Sequence, residues 1–228
     1  MFTPRKLVFS VITSAVLIAA FVSTSRGSTF TINTTPPNST ISSFGYTNTA
    51  TYGQTITAVA GTTQLDSFSF YISASGSPIT YRAYVMAWDG AKATGPILFE
   101  SVNQTTSGAG LNQYVYNTGG INLSPGSQYA LFVSVSNNYF AGNGIGVMGA
   151  RSDNPYSGGQ FVYMNNSNNF GMLSTDPWST FGPGYDLAFT ANLSTPNAVP
   201  EPATMVLLGT GIVGVVTKLR KRKRSEDS

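Results

Sequence analysis

Alternation of apolar and polar residues at every second position dominates the middle of this 228-residue chain. The segment 65–72 (LDSFSFYI) places its two phenylalanines and Ile72 on one face and its serines on the other. The same period of two recurs at 79–87, 129–135 and 185–190. This period is typical of a strand with one buried face, so we expect each of these segments to be a strand.

Glycine and proline separate these segments. Turn signals stand at 75–78 (SGSP), 89–90 (DG), 119–120 (GG), 124–126 (SPG) and 182–184 (GPG). None of the intervening segments shows the period of 3.6 and the capping residues that predict an amphipathic helix. Many short strands between tight turns predict an all-β fold, and we expect a jelly-roll-like β-sandwich.

The two ends of the chain differ in composition from this middle. The start has a short basic segment, an apolar run and then small polar residues, which is the pattern of a secretory signal peptide. An uncleaved membrane anchor is the alternative interpretation of that run. The end has a second, shorter apolar run that leads into basic residues. The predicted organisation is a signal peptide at 1–26, a sandwich at 27–194, a linker at 195–202, a transmembrane helix at 203–219 and a tail at 220–228.

The positive charge of the chain is concentrated at its ends. By the positive-inside rule, the cluster after the second apolar run should stay in the cytoplasm; it consists of Lys218, Arg220, Lys221, Arg222, Lys223 and Arg224. The signal peptide independently places the middle of the chain outside. Both ends therefore predict an exported domain that is anchored in the inner membrane through its C-terminal helix.

The middle of the chain is weakly acidic. Between residues 27 and 198 the basic residues Arg82, Lys92 and Arg151 face six acidic ones, a net charge of −3; the six are Asp66, Asp89, Glu100, Asp153, Asp176 and Asp186. A nucleic-acid-binding domain needs clustered cations to neutralise phosphates. The charge distribution therefore argues against nucleic acid as a partner.

The sequence contains no cysteine and no histidine. These absences exclude a disulfide framework, a thiolate nucleophile, the commonest general base and the commonest zinc ligand. We therefore predict no catalytic residues, no metal and no cofactor. Three alternatives remain open: a glycosidase that uses Glu100 and an aspartate, a serine nucleophile with Lys92 as its base, and a calcium site at Asp153–Asn154 or at the Asp89 turn.

Aromatic residues near turns are the candidate ligand-binding residues. Sugar binding combines an aromatic face with side chains that bond hydroxyl groups, and two pairs fit this pattern: Trp88 with Asp89, and Trp178 with Asp176. Trp178 follows Asp-Pro, so we expect it in an exposed loop, whereas we expect Trp88 nearer the core. Tyr156 and Tyr163 are further candidates, and the run NNSNN at 165–169 predicts a solvated loop.

The C-terminal segment AVPEPATMVLLGTGIVGVVTKLRKRKR resembles the PEP-CTERM sorting signal of exported bacterial proteins, since Pro-Glu-Pro, an apolar run and a basic cluster occur in that order. The resemblance implies recognition at Pro200, Glu201 and Pro202 by exosortase, a membrane protease, and an association with exopolysaccharide and biofilm. The segment at 88–101 (WDGAKATGPILFES) is similar to bacterial surface sandwiches that resemble carbohydrate-binding jelly rolls. We therefore predict a non-catalytic surface or matrix protein with extracellular polysaccharide as its candidate ligand. A secreted glycoside-active enzyme is the alternative.

Overall fold

The computed structural model describes residues 28–106, 110–182 and 184–195. Strands dominate these residues, and one short α-helix (α1) occupies Met172–Thr175. The strands are β1 Thr29–Asn33, β2 Ser39–Gly45, β3 Thr51–Thr57, β4 Gln64–Ser75, β5 Thr80–Trp88, β6 Ala93–Glu100, β7 Gln104–Thr105, β8 Asn112–Asn122, β9 Gln128–Ser134, β10 Ile145–Arg151, β11 Phe161–Met164, β12 Ser179–Thr180, β13 Asp186–Leu187 and β14 Phe189–Ser194.

The strands form two antiparallel sheets. In sheet A, β4 pairs with β8 along one edge and with β14 and β10 along the other, while β1 lies outside β14 and β2 outside β10. Sheet B has the strand order β12-β11-β3-β9-β5-β6, and the short β7 also pairs with β5. Two sheets around a shared apolar core form a β-sandwich, which confirms the predicted all-β class.

The core between the sheets uses the alternation seen in the sequence. Phe68, Phe70 and Ile72 of β4 are fully buried and belong to one cluster with Tyr81 of β5 and Leu131 of β9. Their neighbours along each strand point away from this cluster, as the period of two requires. The strands predicted at 65–72, 79–87 and 129–135 are therefore confirmed.

The strand predicted at 185–190 is interrupted. It divides at Ala188 into β13 and β14, because the chain changes partners there. Residues 186–187 pair with β10, whereas residues 189–194 pair with β4 and β1. The backbone N–H of Ala188 donates to the Gly149 carbonyl oxygen at 2.8 Å and joins the two halves to sheet A.

A second apolar cluster covers the outer face of sheet B. Tyr84, Met86 and Trp88 of β5 and Phe132 of β9 point away from the sandwich core but are buried under the segment 165–178. The outer face of sheet B is therefore not the solvated face that simple alternation predicts.

The expectation of a solvated NNSNN loop is wrong at Asn166, which is 1% exposed. Its Oδ1 accepts a hydrogen bond from Thr51 Oγ1 at 2.9 Å, and its Nδ2 donates to Ser136 Oγ at 2.6 Å. These bonds attach the beginning of the covering segment to sheet B. A buried amide of this kind is retained where all of its polar groups find partners.

Within the described ranges, no helix has both the length and the apolar character needed to cross a bilayer. The predicted signal peptide at 1–26, transmembrane helix at 203–219 and tail at 220–228 lie outside those ranges. Most of the linker predicted at 195–202 lies outside them as well. These boundaries remain predictions.

Candidate ligand-binding site

The structure brings together the four candidate residues that the sequence placed about 90 positions apart. Trp88 ends β5 and Asp89 begins the following turn, while Asp176 and Trp178 lie between α1 and β12. The two indole rings meet edge to face, with centroids 5.4 Å apart and planes at 85°. The backbone N–H of Trp178 donates to the Ala91 carbonyl oxygen at 2.8 Å, so the β5–β6 turn and the covering segment are joined here.

The expectation that Trp178 is exposed is wrong, because only 6% of this residue is accessible. Its ring packs against Phe132 at a centroid distance of 5.3 Å, and its Nε1–H donates to the Leu173 carbonyl oxygen at 2.8 Å. A Cβ at Gly53 of β3 would lie 2.8 Å from Phe132 Cβ, so glycine there leaves room for the Phe132 side chain that the indole packs against. Trp178 therefore anchors the covering segment and offers no open face for stacking.

Asp89 stabilises a turn through its side chain, whereas Asp176 contributes a backbone N–H. Asp89 Oδ1 accepts hydrogen bonds from the backbone N–H groups of Ala91 and Lys92, both at 2.9 Å, and these donors lower the pKa of the Asp89 carboxyl group. The N–H of Asp176 donates to the Met172 carbonyl oxygen at 3.0 Å, where α1 ends. Lys92 Nζ donates to the Thr175 carbonyl oxygen at 3.2 Å. The Asp89 carboxylate thus shapes the β5–β6 turn, and the Asp176 backbone closes the turn at the end of α1.

Trp88 is buried as expected, with 8% of its surface exposed, but it also forms one wall of an open pocket. The pocket has a volume of about 380 Å³ and lies at one end of sheet B. Its lining residues come from β3, from β5 and the turn after it, from β9 and from the loop before β11; they are Thr55, Thr57, Trp88, Gly90, Gln128, Ser157, Gly158, Gly159 and Gln160. Strand register produces this site, because Thr57 lies opposite Gln128 and Gln128 lies opposite Trp88.

The loop wall at 157–160 is held against β3 by short polar contacts. Thr57 Oγ1 donates to the Gly158 carbonyl oxygen at 2.7 Å, and the Gln160 N–H donates to Thr55 Oγ1 at 2.9 Å. Gly159 approaches so closely that a Cβ would lie 1.7 Å from the Thr55 carbonyl oxygen. Only glycine fits such a position. The SGGQ run at 157–160 is the signal in the sequence for this wall.

The lining of the pocket is polar and carries no charged side chain. It offers two amides, from Gln128 and Gln160, together with threonine and serine hydroxyl groups. Among the described residues, none forms a hydrogen bond with either glutamine side chain. Each of these amides can donate and accept, so the pocket is suited to a ligand that carries hydroxyl groups.

The other acidic side chains each have a structural partner. Glu100 forms an ion pair with Arg82 at 2.6 Å and accepts a hydrogen bond from the Tyr84 hydroxyl group at 3.2 Å. Arg151 binds Asp153 at 2.6 Å and lowers the pKa of its carboxyl group to about 2. Within the described ranges, no three residues of the His, Cys, Asp and Glu types form a group that could hold a metal ion.

The fold and the pocket define an all-β, two-sheet domain with a neutral, polar pocket. The family model described as the PEP-CTERM protein-sorting motif matches residues 198–223, outside the described ranges. The chain therefore carries this sorting motif, which includes Pro200, Glu201 and Pro202. The motif marks an exported surface protein whose C-terminus is anchored in the membrane and then processed by exosortase, a membrane protease.

No curated protein matches the chain in sequence. Among solved structures, it is similar to the Clostridial cysteine protease Cwp84 after propeptide cleavage, with 14% identity, a TM-score of 0.49, and 74% of this chain and 40% of that chain covered. A structure of the cysteine protease and lectin-like domains of Cwp84, a surface layer associated protein of Clostridium difficile, matches with 13% identity, a TM-score of 0.42, and 65% and 32% coverage. The chain thus spans less than half of the length of these relatives.

Proposed function

We propose that this chain is a non-catalytic, carbohydrate-binding protein of the cell surface or extracellular matrix, with a jelly-roll-like sandwich at 27–194. The observation that carries the proposal is the sorting motif at 198–223, which directs the domain to the outside of the cell. We expect an exported domain of this kind to meet extracellular polysaccharide at the cell surface. The neutral pocket beside Trp88 gives the domain a place to bind such a polymer, and participation in biofilm follows from that binding.

The proposed absence of catalysis is supported by the partners of the acidic residues. A glycosidase needs two carboxyl groups that flank the scissile bond, one of which has to hold a proton. Glu100 is paired with Arg82, Asp153 is paired with Arg151, and Asp89 accepts two backbone N–H groups. Lys92, the candidate base for a serine nucleophile, donates to a backbone carbonyl oxygen. These contacts give each group a structural role.

Incubation of the purified chain with a polysaccharide that it binds should release no reducing sugar. The expected result follows from the missing histidine and cysteine and from the engaged carboxylates. The measurement is a reducing-end assay on the wild type and on Glu100→Gln. Release by the wild type that disappears in Glu100→Gln would instead support the glycoside-active alternative.

Glu201→Ala is expected to block maturation while the domain stays folded. The apolar run after the motif contains Gly209, Gly211 and Gly214, and each glycine lowers helix stability by up to about 1 kcal/mol relative to alanine. From the sequence we expect a short anchor with three glycines to be easier for a membrane protease to unwind, and cleavage to depend on the Pro-Glu-Pro recognition site. Mass spectrometry of the surface form should show a chain without Arg224 in the wild type and with Arg224 in Glu201→Ala. Mature wild-type protein that retains Arg224 would indicate a permanent tail anchor.

A further inference from the structure

We infer that the pocket beside Trp88 binds one neutral sugar unit of a polysaccharide, with the Gln128 and Gln160 amides and the Trp88 indole N–H as its hydrogen-bonding groups. This inference rests on the proposed carbohydrate binding and adds the site and the chemical class of the sugar. The volume of about 380 Å³ lies at the lower end of the range of about 300–1,000 Å³ found for ligand pockets. A single ring with its neighbouring linkage therefore matches the size of the pocket better than a long chain does.

The Trp88 indole N–H is the first group that points to a ligand. No described residue accepts a hydrogen bond from it, whereas the N–H of Trp178 is bound to the Leu173 carbonyl oxygen. Among the described residues, no buried side-chain nitrogen or oxygen lacks a partner, so the Trp88 N–H must keep contact with solvent. Trp88 lines the pocket with its small exposed area, and the inferred binding mode uses this N–H as a donor to the sugar.

Two amides complete the hydrogen-bonding set. Gln128 of β9 lies directly opposite Trp88 of β5. Gln160 lies on the loop wall, where its N–H donates to Thr55 Oγ1. A primary amide presents a donor and an acceptor side by side, which is how side chains bind the hydroxyl groups of a sugar. Thr57 Oγ1 donates to Gly158 and keeps its lone pairs as acceptors for a further donor.

The charge of the surroundings selects against acidic sugars. The lining has no cation that could pair with a carboxylate. Lys92, in the adjacent turn, donates its ammonium group to the Thr175 carbonyl oxygen, and Asp89 in the same turn is a carboxylate. A uronic acid would lose water from its carboxylate without a compensating partner, which is costly. A neutral hexose has no such cost.

The chain contains two tryptophans, and only one of them lines this pocket, so intrinsic fluorescence provides a direct test. The full-length chain in detergent is titrated with neutral tetraoses of glucose, mannose or galactose units and with tetragalacturonate. In Trp178→Phe, where Trp88 is the remaining indole, a neutral tetraose should still change the emission. In Trp88→Phe, the emission of Trp178 should stay constant, and calorimetry should show weaker binding.

The double variant Gln128→Ala/Gln160→Ala should weaken binding of the neutral tetraose by at least about tenfold, since it removes two of the hydrogen-bonding side chains of the site. Gln113→Ala is the matched control, because it removes an exposed glutamine from β8 of the other sheet. Unchanged affinity in the double variant would overturn this site while leaving carbohydrate binding in place. A preference for tetragalacturonate would overturn the neutral class. Absence of binding to all the probes by the wild type would count against the proposed function itself.

Discussion

Trp178→Ala is expected to lower the free energy of unfolding by about 3–5 kcal/mol, the usual cost of truncating a large buried aromatic residue. The indole contacts Trp88 and Phe132 and donates to the Leu173 carbonyl oxygen, so its loss removes apolar burial and one hydrogen bond together. The segment 165–178 would then lose its main attachment to sheet B. Urea unfolding followed by circular dichroism measures the change.

Phe140→Ala is the control for this measurement, since Phe140 is 54% exposed and its truncation should change stability by less than about 0.5 kcal/mol. Trp178→Phe should fall between the two variants because it keeps an aromatic ring and loses the indole N–H. A loss below about 1 kcal/mol for Trp178→Ala would show that the covering segment is held by its polar contacts, such as those of Asn166, and that the indole adds little.

The position of Trp178 shows where local sequence patterns stop being informative. Asp-Pro before the tryptophan is a sound signal for a loop, and residues 176–178 do lie outside helix and strand. Burial of the side chain depends instead on Phe132 and Trp88, which belong to distant strands. Alternation predicts which face of β5 turns inward, but the second face was expected to be solvated. The covering segment 165–178 packs on this face through contacts between residues that are distant in the sequence, and it has no periodic pattern that would predict this packing.

The pocket could not be predicted from the sequence for a related reason. Thr57, Gln128 and Trp88 form one row only because the registers of three strands align them. Neither glutamine differs in its local pattern from the many polar residues of the chain. The glycines at 158–159 were a usable signal, since paired glycines can mark a close backbone approach. The sorting motif, by contrast, is contiguous, and the sequence was sufficient to find it.

Asp186 is a second feature that the sequence could not anticipate, because its environment is formed by Gln54 and Tyr156, which are distant from it in the sequence. It is fully buried; its Oδ1 accepts from Gln54 Nε2 at 2.8 Å and its Oδ2 from the Tyr156 N–H at 2.9 Å. Gln54 Oε1 also accepts a hydrogen bond from the Leu187 N–H at 2.8 Å, so one side-chain amide bonds both Asp186 and Leu187. No cation is among these partners.

Burial raises the pKa of the Asp186 carboxyl group, while the donors from Tyr156 and Gln54 counteract part of this effect. The folded chain therefore holds this proton more tightly than the unfolded chain does. The stability that Asp186 contributes is complete below the unfolded pKa of about 3.9 and is lost as the pH rises through the higher folded value. Asp89 and Asp153 act in the opposite direction, since their lowered pKa values make their contribution disappear as the pH falls below about 3.9.

Gln54→Leu is expected to lower the free energy of unfolding by about 2–4 kcal/mol at pH 8, because Asp186 Oδ1 and the Leu187 N–H both lose their partner and each orphaned buried group costs about 1–3 kcal/mol. At pH 4 the loss should be smaller, since a larger share of Asp186 is protonated there and a neutral carboxyl group needs fewer donors. Urea unfolding at both pH values tests this difference, with Gln113→Leu as the control, because it breaks a hydrogen bond from an exposed amide to Ser69 Oγ and should cost the same at both pH values. An equal loss at the two pH values would show that the charge of Asp186 is compensated by groups other than Gln54. Because a donor to a buried carboxylate matters most when the carboxylate is ionised, the pH dependence separates the role of the Gln54 amide from the packing of its side chain.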